Sequence, residues 1–165
     1  MKDIEKYLKE TVNIQTLLSE INSELPQLVA GLSGSGRNLL TNILFEELQK
    51  TIVVLTPNLL QATQVYEDIS QMAPEVPLYI FPVEESVAAE LAFSSPEYRS
   101  QRVDTLDFLN SGKKGIVVIP AAGFKKILSP ASIWETHCLD FSVGMELDMG
   151  SLPETLVAMG YSRER

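Results

Sequence analysis

The sequence LVAGLSGSGRNLL, residues 28–40, decides the expected fold. It begins with apolar residues typical of a buried strand, continues through a glycine-rich turn, and ends as the first turn of an amphipathic helix. Its glycines have the spacing of a phosphate-binding P-loop, G-x-x-x-x-G-K-[ST]. Gly31 and Gly36 occupy the two required positions, and Gly34 adds a third flexible one. The stretch therefore predicts a strand from about Gln27, a P-loop-type turn and a helix.

Two positions that carry the chemistry of a P-loop differ from this pattern. Arg37 stands where a lysine reaches the β- and γ-phosphates, and Asn38 stands where a hydroxyl binds magnesium. Arginine forks rigidly and is bulkier than a compact ammonium group, so we expect no ATP hydrolysis. Backbone N–H groups at a helix N-terminus still attract anions, so we expect no cofactor at this loop beyond an adventitious sulfate or phosphate. The loop residues are Gly31, Gly34, Ser35, Gly36, Arg37 and Asn38. The alternative is a tight turn that never bound nucleotide.

Composition restricts the class of protein. The 165 residues suffice for one domain and the beginning of another, and 45% apolar content allows a sizeable core. The net charge of −9, with scattered basic residues, argues against DNA binding by this chain alone. Apolar runs are shorter than a membrane helix requires and no signal peptide opens the sequence, so we expect a cytoplasmic protein without a membrane partner.

The single cysteine, Cys138, follows the single histidine, His137. One cysteine excludes an internal disulfide and fits a reducing compartment. Adjacent side chains on a strand point apart, and no further ligands surround the pair. We therefore predict structural roles for both, with no catalytic residue and no metal site.

Strands alternate with helices along the central part of the chain. Three runs predict buried strands: residues 51–56, 78–81 and 115–120. The intervening segments have helical periodicity, so the fold class is α/β, a P-loop (RecA/helicase-like) parallel sheet flanked by helices. These strands end in Thr56-Pro57, Phe81-Pro82 and Ile119-Pro120, without the acidic residue that holds magnesium in an ATPase.

The two ends of the chain predict different structures. Residues 2–22 have the apolar spacing of one broken helix or two short ones. Near the other end, Leu139, Phe141 and Val143 alternate with polar residues, which predicts a half-exposed strand. A last helix is expected from Ser151, with Ser151 as its cap and Glu154 completing a capping box. The predicted regions are an N-terminal helical segment (1–25), the P-loop-type domain (26–136) and the start of a small α+β domain (137–165).

Three motifs together resemble the N-terminal, UvrB-like region of the bacterial transcription-repair coupling factors, the Mfd family. They are GLSGSGRN, LTPNLLQATQVYEDI and the tail FSVGMELDMGSLPETLVAMGYSRER, and the helix SPEYRSQRVDTLDFL also fits. The motifs occur in order at matching spacing, and the resemblance covers nearly all of residues 27–165.

The resemblance implies a module that imitates the repair helicase UvrB without hydrolysing ATP. UvrB keeps the lysine and threonine of the loop, and it carries an aromatic-rich hairpin that clamps DNA. Residues 82–95 contain Phe93 as their one aromatic side chain, so that hairpin is not expected here. The family role is to recruit UvrA to RNA polymerase stalled at a lesion. Polymerase-binding and translocase domains lie downstream in the family, so this chain is expected to be a fragment.

The resemblance also implies a partner site. The family's UvrA contacts are arginines that begin just after the tyrosine of the tail motif, and Arg163 is the matching position. A solvated terminal side chain is the alternative for Arg163. For the whole chain, the alternatives are a working nucleotide-binding domain of a UvrB-like helicase or ATPase, and a stand-alone α/β adaptor.

Overall fold

The computed structural model describes residues 2–21, 23, 25–83, 95–128, 130–136, 138–139 and 141–163. The chain divides into two compact units, residues 1–126 and 127–165. The predictions for Phe93 and His137 lie outside the described residues. The predicted boundary after residue 136 remains a prediction.

The first unit alternates helices and strands. In chain order its elements are α1 (Lys2–Lys9), α2 (Val12–Glu20), α3 (Ser35–Leu48), β1 (Ile52–Thr56), α4 (Leu59–Met72), β2 (Leu78–Ile80), α5 (Pro96–Asn110), β3 (Ile116–Pro120) and α6 (Ala121–Phe124). The second unit contains α7 (Ala131–Thr136) and α8 (Leu152–Ala158). The two short N-terminal helices are confirmed.

The three strands form one parallel sheet in the order β1-β3-β2. Val54 on β1 and Ile80 on β2 both pair with Val118 on the central strand. Parallel strands with helical crossovers confirm the α/β class. β3 is almost entirely buried because it is paired on both edges, as its continuous β-branched sequence predicts.

Helix α4 covers the sheet and builds the core. It packs against all three strands. The centre of this core consists of Ala62, Ile69, Ile80, Ile116 and Val118. Helix α5 packs against β2, where the rings of Phe108 and Tyr79 stack with centroids 4.2 Å apart. Such burial of apolar area supplies most of the stability of a small domain.

The predicted strand before the glycine-rich turn is wrong. Residues 26–30 form no strand, and Leu28 is 93% exposed. Pro26 and the left-handed Gly31 (φ 85°) leave room for few extended residues. Among the described residues no strand pairs with this segment, so its apolar side chains have no sheet to pack on.

The predicted strand around Phe141 is also wrong. Residues 141–143 are irregular, and a turn follows in which the Met145 amide donates to the Ser142 carbonyl at 3.1 Å. Phe141 and Val143 are exposed. Alternation alone cannot produce a strand where the described chain offers no pairing edge.

The predicted cap of the last helix differs as well. Ser151 has helical backbone angles (φ −93°, ψ −28°), and its side chain does not cap α8. Asp148 holds this turn instead, since its carboxylate accepts from the Ser151 hydroxyl at 2.8 Å and from the Gly150 amide at 2.9 Å. An aspartate accepts such bonds more strongly than a serine because it is charged.

Candidate functional site

The glycine-rich turn leads into helix α3. Gly31 and Gly34 have φ angles of 85° and 52°, values that residues other than glycine rarely adopt. A Cβ atom on either residue would meet no other atom within 4 Å. These two glycines are therefore required by the backbone path of the turn, not by crowding.

Two amides of the turn donate hydrogen bonds within it. The Gly36 amide donates to the Ser33 carbonyl at 3.1 Å, and the Arg37 amide donates to the Gly34 carbonyl at 3.3 Å. Ser35, the first residue of α3, is exposed. In a phosphate cradle the loop amides converge on the anion. Here two of the candidate donors are already engaged by carbonyls of the turn.

Arg37 folds back on its own loop. Its Nε donates to the Leu32 carbonyl at 3.2 Å, five residues earlier in the chain. This contact holds the guanidinium group against the Leu32 backbone. A side chain that binds phosphate would have to break such a contact and turn toward the anion. The side chain is exposed, so the contact fixes its direction without burying its charge.

Asn38 points in the opposite sense, into the protein. It is 5% exposed, and its Nδ2 donates to Oδ2 of Asp68 on α4 at 2.8 Å. A magnesium-binding hydroxyl would have to face the phosphates, whereas this amide joins two helices. Sequence reasoning missed Asp68, because no local pattern in the sequence links two residues that lie 30 positions apart.

The described residues at the carboxyl end of β1 include no acidic side chain. Thr56, at the carboxyl end of β1, is buried, and its hydroxyl donates to the Asn58 carbonyl at 3.1 Å. Within the described residues, no cluster of three histidine, cysteine, aspartate or glutamate side chains could hold a metal ion. The arrangement is suited to holding α3 against α4, not to positioning a reacting phosphate.

Arg163 lies in the second unit, apart from this loop in the chain. It lines a hollow of about 240 Å³ that is mostly apolar. Met149, Val157 and Tyr161 line the same hollow and are 70%, 56% and 66% exposed. An exposed apolar surface with a cation at its rim has the composition of a protein-binding surface.

Asp148 stabilises the turn that begins this hollow. The hydrogen bonds from Ser151 and Gly150 lower the pKa of the Asp148 carboxyl below its ordinary value of 3.8. The carboxylate is therefore charged near neutral pH, and it holds the N-terminus of α8. Cys138 is exposed, and its structural role remains a prediction.

No helix in the described part of the chain combines the length and the apolar character needed to cross a bilayer. No protein-family model matches the chain. The fold and the loop define a parallel α/β domain with a glycine-rich turn before a helix, followed by a small second unit.

The sequence of this chain is similar to one segment of several longer proteins. The transcription-repair-coupling factor of Bacillus subtilis is 34% identical over 164 residues, which are 99% of this chain and 14% of that protein. The Staphylococcus epidermidis and Staphylococcus aureus proteins of the same name are 34% and 32% identical over 98% and 95% of the chain. The chain spans about 14% of the length of such relatives. The resemblance to the transcription-repair coupling factors is confirmed, and this chain is homologous to one segment of them.

Proposed function

We propose that the chain is a non-catalytic UvrB-like module of a transcription-repair coupling factor, and that it helps recruit UvrA to RNA polymerase stalled at DNA damage. The observation that carries the non-catalytic part is the inward bond of Asn38 to Asp68. A side chain committed to a neighbouring helix does not hold magnesium. RNA polymerase and DNA would be contacted by other regions of such a protein, in the cytoplasm.

The partner site proposed for UvrA is the hollow beside Arg163. A cation at the rim of an exposed apolar surface supplies both directional hydrogen bonds and buried area to a protein partner. The apolar side chains Met149 and Val157 supply that area. Arginine is frequent among the residues that contribute most to protein interfaces.

The test is a binding measurement with purified UvrA immobilised on a sensor surface. We expect the chain to bind, and Arg163→Ala to weaken binding by about tenfold, equivalent to about 1.4 kcal/mol. Arg99→Ala is the matched control, since Arg99 is an exposed arginine on α5. Equal binding by the Arg163→Ala variant and the unsubstituted chain would exclude Arg163 from the interface, and no binding by either would contradict the UvrA role.

The second candidate is a nucleotide-binding domain of a UvrB-like helicase or ATPase. The positive φ angles of Gly31 and Gly34 favour it, because glycine-rich phosphate loops also use glycine where the backbone needs such angles. Calorimetric titration with ATP and magnesium separates the two functions. If the chain is a non-catalytic module, we expect no heat of binding. Micromolar binding of ATP that a Gly34→Ala substitution abolishes would instead favour the nucleotide-binding domain. An Arg37→Lys/Asn38→Thr double variant shows whether the loop can be restored.

A further inference from the structure

A second hollow lies between α1, α3 and the C-terminal end of α4, and it plays no part in the proposed function. Its volume is about 390 Å³, within the range of small-molecule sites. Glu5 and Asn42 line it and are only 9% and 3% exposed. Buried polar groups of this kind are normally paired.

The pairing in this hollow is incomplete. Asn42 Nδ2 donates to Glu5 Oε1 at 2.8 Å. The other end of the amide, Oδ1, is buried and has no hydrogen-bond partner among the described residues. A buried acceptor without a donor costs free energy, which is recovered when a donor reaches it.

Glu5 also lacks an ion-pair partner among the described side chains. Lys9, four residues later on the same helix, is the natural ion-pair partner. Its ammonium instead bonds Glu46 and Glu47 at 2.7 and 2.9 Å. Among the side chains that the structure describes, no cation lies within ion-pair distance of Glu5. A buried carboxyl group in this position favours a ligand that brings a cation.

The remaining lining groups add acceptors and apolar surface. Glu75 contributes a third carboxylate beside those of Glu5 and Glu46, against the ammonium groups of Lys6 and Lys9. The side chains of Met72 and Ala73 supply carbon surface at the end of α4. The lining therefore carries three carboxyl groups against two ammonium groups, which favours a cationic donor as the ligand.

We propose that this hollow binds a guanidinium group. Its planar fork of N–H donors can serve a carboxylate and an amide oxygen together, and it loses hydration more readily than an ammonium. Met72 and Ala73 would cover the aliphatic stem. A metal ion fits less well, because the described residues contain no cluster of three acidic or histidine ligands. The group belongs either to a free small molecule or to an arginine side chain of a protein.

The test is an NMR titration of the chain with N-acetylarginine amide, following the side-chain amide of Asn42. We expect saturable shifts of that amide, and shifts at least about tenfold weaker in apparent affinity with N-acetyllysine amide. A Gly-Gly-Arg-Gly-Gly peptide that binds more tightly than the amide assigns the group to a protein, and equal affinities assign it to a small molecule.

Glu5→Gln is the decisive variant, because it keeps an oxygen for Asn42 and removes the charge. We expect it to lose about tenfold in affinity or more, while Glu67→Gln, an exposed site on α4 outside the hollow, binds normally. Circular dichroism confirms that each variant is folded. Absence of saturable shifts, equal binding of arginine and lysine amides, or unchanged binding by Glu5→Gln would overturn the proposal, and an internal water would then satisfy Asn42.

Discussion

Asn38 on α3 donates from Nδ2 to Asp68 Oδ2 on α4 at 2.8 Å. This bond joins the first helix after the glycine-rich turn to the helix that covers the sheet. Asn38 is almost fully buried, so its amide needs this acceptor. The position that binds magnesium in an active P-loop has here become part of the helix packing.

Restoring the threonine of the P-loop pattern should destabilise the protein. In Asn38→Thr the shorter side chain no longer reaches Asp68, and we expect the free energy of unfolding to fall by about 1 kcal/mol. Urea unfolding followed by circular dichroism measures the change. In a double-mutant cycle with Asp68→Ala, the two effects should not add. Full additivity would show that the bond contributes nothing.

Gly36 in the first turn of α3 and Gly115 just before β3 should respond oppositely to substitution by alanine. A Cβ at Gly36 would meet its nearest atom, Leu32 Cδ2, at 3.7 Å, and Gly36 does not have a positive φ. We expect Gly36→Ala to leave stability unchanged or raise it by up to about 1 kcal/mol, since alanine favours helix. Unfolding midpoints in urea measure this. A clear loss of stability would mean that the turn needs Gly36.

Gly115 is the matched contrast. Its Cβ would lie 2.5 Å from the Pro77 carbonyl oxygen and 2.8 Å from Phe108 Cζ. Backbone cannot move away cheaply, so we expect Gly115→Ala to lower the free energy of unfolding by about 1–3 kcal/mol. Urea unfolding again provides the measurement. A variant as stable as the unsubstituted chain would show that the close approach of α5 to this strand relaxes easily.

The sequence predicted the helices and strands that depend on nearby residues, such as a helix cap or a continuous apolar run. Helix α4 begins after Asn58, whose side chain accepts from the Gln61 amide at 2.8 Å, and it lies where helical periodicity between the first two strand runs predicted a helix. β3 followed from its apolar run. The apolar residues after Pro26 looked equally strand-like, but a strand requires a partner edge that composition does not reveal.

The candidate site was predictable in its residue types but not in its contacts. The substitutions at Arg37 and Asn38 are visible in the sequence and argue against phosphate chemistry. Their present roles depend on Leu32 and Asp68, and the second contact spans 30 residues. The bond between Glu5 and Asn42 spans 37 residues, so the second hollow had no signal in the sequence.

Lys9 should give the first unit a small, pH-dependent stabilisation. Burial alone would lower the pKa of Lys9, but hydrogen bonds to Glu46 and Glu47 outweigh it and raise the pKa above 10.5. This contribution is fully present below about pH 10.5 and is lost as pH rises through the higher folded value. Because the groups are partly exposed and screened, we expect Lys9→Met to cost less than about 1 kcal/mol at pH 7.

Urea unfolding of the unsubstituted chain and of Lys9→Met, at pH 7 and at a pH above the folded pKa of Lys9, measures the difference in their free energies of unfolding. It should shrink at the higher pH, and also in high salt at pH 7, because salt screens exposed ion pairs. Glu10→Gln, an exposed change on the same part of the chain, is the control. A difference that is independent of both pH and salt would assign the effect of Lys9 to the packing of its aliphatic stem.

Asp148 should give the turn before α8 an acid-sensitive transition. Its pKa is lowered by the bonds from Ser151 and Gly150, so this contribution is present above pH 3.8 and is lost as pH falls through the lower folded value. An NMR pH titration of the Gly150 and Ser151 amides should show a midpoint below 3.8. The transition should be absent in Asp148→Asn and unchanged in Glu154→Gln. A midpoint at or above 3.8 would contradict the capping role of Asp148.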